Sequence, residues 1–139
     1  MKRRVVAVTA MIGLAVVGWV MAQQSGQSNH VITPAETASL LEAHDTSVVF
    51  LDVRTNGEFY GETGHLRGAL LIPVQELEQR MNELEPYRGK KIIAYCRSGN
   101  RSGRATTMLL DKGFTAVNMT GGMLRWAAED LPVEREDDH

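Results

Sequence analysis

One cysteine in 139 residues cannot form an internal disulfide, so this chain has to be held together by its apolar core alone. No second cysteine, histidine or carboxylate stands at ligand spacing from a first, so no metal is assigned and no cofactor is expected. Charge excess is also missing: 15 basic residues face 17 acidic ones, for a formal net charge of -2. Such a balance gives no electrostatic footprint for nucleic acid. There is no internal repeat, and beyond the amino terminus the apolar runs are short.

What is present converges on the single thiol. Cys96 follows the apolar run Lys91-Lys-Ile-Ile-Ala-Tyr95 and precedes Arg97-Ser-Gly-Asn-Arg101-Ser-Gly-Arg104. The pattern places it at a strand end, in a glycine-containing turn that opens a helix. Such a turn aims backbone N–H groups inward and adds the positive end of the helix dipole, which together favour an anion. A thiolate is such an anion, and Arg97, Arg101 and Arg104 are expected to lower its pKa and to draw in an anionic substrate. A lone cysteine is otherwise an inert, buried, small hydrophobe, but burial alone does not call for three arginines.

The segment Cys96-Arg-Ser-Gly-Asn-Arg101-Ser resembles the active-site loop of single-domain rhodaneses, the thiosulfate sulfurtransferase family. Leu51-Asp-Val-Arg54 with Glu58, Gly64-His65-Leu-Arg-Gly68-Ala69-Leu-Leu-Ile-Pro73, and Gly121-Gly122-Met-Leu-Arg-Trp126 look like that family's other landmarks, in its order. Together they span roughly Val31 to Val133, and four ordered motifs are more specific than any one. The resemblance implies transfer of sulfane sulfur from thiosulfate or a similar donor to cyanide, a small thiol or a protein thiol through a Cys96 persulfide. Cys96 is then the catalytic residue, with Arg97, Ser98, Gly99, Asn100, Arg101 and Arg54 binding substrate. The alternative is a sulfur-carrier or partner-binding module without turnover. Phosphatase and arsenate reductase chemistry is the weaker reading, because related enzymes close their loop with an arginine one position later, where this chain has Ser102.

Two roles are open for Asp52 and Arg54 at a strand end: an ion pair holding loops together, or contact with substrate. Glu58 and His65 are expected to cap or brace loops. Arg67 either extends the positive rim or is simply solvated. Gly121 and Gly122 read as a turn permitting close backbone approach, and Trp126 as core.

Met1-Lys-Arg-Arg4 is basic and Val5 to Val20 is uncharged, the pattern of an export signal ending at Val20-Met-Ala22. An uncleaved anchor is the rival, and only then is a membrane a partner. Either places the domain outside the cytoplasm, in a periplasm. Without residues 1–22, which hold Lys2, Arg3 and Arg4 and no acid, 12 basic residues face 17 acidic ones, formally minus five. The expected division is a signal over 1–22, a polar linker over 23–29, one rhodanese domain over 30–133 and a frayed charged tail over 134–139.

Val48–Leu51, Ala69–Ile72, Ile92–Tyr95 and Ala116–Met119 are too short for helices and suit buried strands. Thr33-Pro-Ala-Glu36 opens a helix with a capping box and proline at its first position. Leu77, Met81 and Leu84 predict a second helix; Ala105, Met108 and Leu109, ended by Gly113, a third. Strands alternating with helices imply an α/β fold, with a mainly parallel central sheet covered by helices on both faces.

Overall fold

The computed structural model describes residues 29–136, so the expected signal, most of the linker and the last three residues lie outside it. Its sheet has five parallel strands: β1 (Val31–Ile32), β2 (Val48–Asp52), β3 (Leu70–Leu71), β4 (Lys91–Tyr95) and β5 (Thr115–Met119). Their spatial order is β1-β5-β4-β2-β3, with Val48 to Asp52 in register with Lys91 to Tyr95. Four strands match the apolar runs to within a residue or two. β1 is additional, and its two residues are too few to carry a pattern.

The alternation of side chains along β4 sorts the core into two layers. Ile92 and Cys96 face one side, with Leu51, Ala116, Leu77, Leu84, Ala105 and Leu109. Ile93 and Tyr95 face the other, with Phe50, Ala38, Leu41, Met119, Met123 and Trp126. Helix α1 (Pro34–Glu42) and helix α5 (Gly122–Ala128) therefore cover one face. Helix α3 (Leu77–Arg80) and helix α4 (Asn100–Asp111) cover the other. Helices lie on both faces, as the alternation of elements requires.

Two helices start at a capping box. Thr33 caps α1: Glu36 N–H donates to its Oγ1 (3.1 Å) while its own N–H donates to Glu36 Oε2 (2.9 Å). Thr55 and Glu58 repeat this device on the short helix α2 (Asn56–Phe59). The helix predicted across Leu77, Met81 and Leu84 is instead divided, since after Arg80 the chain tightens into a 3-10 segment, Met81–Tyr87, that contains Pro86. In an α-helical turn the proline ring would crowd the carbonyl four residues back, and the tighter winding still buries Leu84. The tail is corrected in part, because Glu134 and His65 exchange two backbone hydrogen bonds and Arg135 Nε donates to Glu62 O (2.8 Å).

Candidate active site

Cys96 is the first residue after β4, and α4 begins four residues later. Gly99 makes that reversal possible with φ at +104°, a conformation that strains any residue bearing a Cβ. The loop is fastened from below by α5, whose Met123 N–H donates to Cys96 O (2.9 Å) and Leu124 N–H to Arg97 O (3.0 Å). Gly122 lets these backbones touch, since a Cβ there would lie 2.5 Å from both carbonyl oxygens. The glycine pair of the sequence is thus the seat of the cysteine loop.

The thiol has no exposed surface. Burial is accompanied here by hydrogen-bond donors aimed at the sulfur. Gly99 N–H donates to Sγ (3.1 Å) and the Ser102 hydroxyl lies 3.3 Å from it. Burial pushes the thiol's pKa up, but the Ser102 hydroxyl and the backbone N–H groups of Ser102, Gly99 and Ser98 more than offset this, leaving it below the ordinary value. The arginine-based expectation is corrected accordingly: hydrogen bonds carry the shift. Arg101 and the thiolate do stabilise each other's charge, but the stronger hold on Arg101 is Glu58.

Ser102 carries one proton between two acceptors, since its Oγ is also 2.6 Å from Asn118 Oδ1. Asn118 is oriented by its Nδ2, which donates to Gly99 O (3.1 Å). When Cys96 is a thiol, S–H can donate to Ser102 while Ser102 donates to Asn118. When it is a thiolate, the hydroxyl proton can turn to sulfur. The sequence assigns neither residue a role at the sulfur: Ser102 enters there only as the position where related enzymes carry arginine, and Asn118 not at all. The signal for them is a polar side chain inside the apolar run Ala116–Met119, together with the first-turn position of Ser102 in α4.

Of the other expected site residues, Arg97, Ser98 and Asn100 are exposed on the loop. Arg101 lies at its edge, its Nη1 and Nη2 donating to Glu58 Oε2 (2.8 Å) and Oε1 (2.7 Å). That pair, with the Thr55 bonds, holds the Glu58 carboxyl well down, to about 2. Arg54 does not join the loop. It is 1% exposed, its Nη2 is 2.6 Å from Asp52 Oδ2, and its remaining bonds go to Thr63 Oγ1 and Gly64 O. Of its two open roles, the geometry shows the ion pair. His65 braces the same region, stacked 3.7 Å from the Phe59 ring with Nδ1 3.0 Å from Phe59 O. Arg67 lies away from the rim, donating to Leu41 O at the end of α1 (3.0 Å). Trp126 is fully buried.

A surface hollow lined by Leu40, His44, Phe50, Arg67 and Tyr87 opens at the amino ends of the strands, away from Cys96. The chemistry belongs instead to the carboxyl end, where parallel α/β sheets place ligands. Among the described residues, no group of three or more His, Cys, Asp or Glu is placed to hold a metal ion.

Residues 33–129 match the family described as the rhodanese-like domain. Over 110 residues the chain is 36% identical to an uncharacterized protein of Synechocystis, covering 78% of this chain and 58% of that one. It is 33% identical over 100 residues to a protein of Allochromatium vinosum named sulfurtransferase, covering 71% and 90% respectively. A solved rhodanese-related protein from Thermoplasma volcanium superposes with a TM-score of 0.68 at 31% identity, covering 76% of this chain and 98% of that one.

Proposed function

This chain belongs to the rhodanese-like domain family, and on that premise we propose that it is a sulfurtransferase carrying sulfane sulfur as a persulfide on Cys96. The observation behind this reading is the pre-formed cradle: a buried thiol facing the Gly99 N–H and the Ser102 hydroxyl, with its pKa lowered. A thiolate and a persulfide are both anions, so one set of donors serves both without a general base. The Cys96 thiolate attacks the outer sulfur of a donor such as thiosulfate. The new S–S bond forms as the donor's S–S bond breaks, and its electron pair leaves with sulfite. A thiophile, cyanide or a thiol, then attacks the outer sulfur of the persulfide and returns Cys96 as the thiolate.

Thiocyanate production from thiosulfate and cyanide tests this reading. Wild-type protein is expected to turn over and Cys96→Ser to fall to background; wild-type activity at background overturns it. A carrier module, the second reading, would show an added sulfur by intact mass yet release it poorly to small acceptors. The basic Met1–Arg4 segment and the uncharged run after it support an exported location. Intact mass of protein from the native periplasm would show removal of residues 1–22, and a cytoplasmic location of the full chain would reject export.

A further inference from the structure

The four arginines in and around the loop carry less free charge than their number suggests. Arg54 is matched by Asp52. Arg101 is matched by Glu58, which takes both of its terminal nitrogens, while Asp52 adds a further negative field at Arg101. Glu58 stays ionised at any physiological pH, because its carboxyl is held at about 2. Among the described residues, Arg97 on the loop and Arg104, one turn beyond Arg101 on α4, are both exposed and neither forms a salt bridge. Arg101, whose charge interacts with Cys96, is thus already neutralised, and Glu58 places a carboxylate, 31% exposed, beside it.

We infer that Glu58 determines the charge class of donor this site takes, favouring singly charged sulfane-sulfur donors over the thiosulfate dianion. This rests on the sulfurtransferase reading and narrows it. A dianion gains little from an arginine already neutralised and meets the Glu58 carboxylate on approach. A singly charged donor meets half that repulsion. The methanethiosulfonate anion isolates the effect, since it is thiosulfate with one oxygen replaced by a methyl group. Attack of the Cys96 thiolate on its outer sulfur forms the same persulfide and expels methanesulfinate with the electron pair.

The test is the second-order rate of persulfide formation on the full-length protein with each anion, followed by intact mass. Glu58→Gln is the informative variant, because glutamine at this position of a capping box keeps the Thr55 hydrogen bond while removing the charge. Wild type is expected to react faster with methanethiosulfonate, and Glu58→Gln to raise the thiosulfate rate about threefold more than the methanethiosulfonate rate, less so at high salt. Arg97→Gln should shift the ratio the opposite way and controls for a folding defect in the first variant. A donor ratio unchanged in Glu58→Gln, or a wild type that prefers thiosulfate, overturns this inference and leaves sulfur transfer standing. Absence of any sulfur adduct on Cys96 with either anion overturns the sulfurtransferase reading and this inference with it.

Discussion

Ser102 supplies the one rotatable donor at the sulfur, beside amides that the backbone fixes in place. Ser102→Ala keeps those amides and loses the hydroxyl, so the midpoint of Cys96 alkylation against pH is expected to rise. Alkylation at neutral pH should slow about three- to tenfold, read with iodoacetamide. Glu58 gives a stability prediction with a definite sign. Its folded-state pKa, about 2, lies below the unfolded value, so its contribution is complete above that unfolded value and disappears as pH falls toward 2. Acid denaturation followed by circular dichroism should show Glu58→Gln losing least, relative to its own neutral stability, across that window. These residues also mark how far the sequence could be read. Cys96 and the arginines after it lie in one segment whose chemistry is local. The Ser102–Asn118 and Arg101–Glu58 contacts join residues that meet only because β4 lies between β5 and β2, so no local pattern announces them.

Helix α5 shows how an element remote in sequence governs the site. Its first N–H groups hold the carbonyls of Cys96 and Arg97, and its Trp126 is fully buried with Nε1 donating to Pro132 O (3.1 Å). Trp126→Ala is expected to cost about 3–5 kcal/mol of stability, measured by urea unfolding. Because the helix seats the loop, the same variant should also alter the alkylation rate of Cys96. Elements with strong periodicity were legible. The runs before Asp52 and Cys96 became β2 and β4, and the Thr33 to Glu36 box became the start of α1. Those specified by context were not. β1 exists because Val31 and Ile32 find Asn118 and Met119 beside them, and the turn at Met81 is wound tightly because Pro86 sits within it.

Across the whole molecule, protection should follow sheet position. β4 is flanked on both sides by paired strands, whereas β1 and β3 are two-residue edges. Amides of β4 are expected to exchange with solvent slowest, near the global unfolding limit, and those of β1 and β3 much sooner. The sulfur of Cys96 hangs from the end of that most guarded strand and shows no surface of its own. Such an atom is reached only as the loop around it gives way, and a bulky thiol or a folded partner needs more room than a slender reagent. On the sulfurtransferase reading, loading one more sulfur extends the side chain by an S–S bond, about 2 Å, and moves the reactive atom off the buried Sγ. The charged carrier would then greet large recipients that the empty one turns away, so that depth alone times the encounter to the moment when there is cargo to deliver.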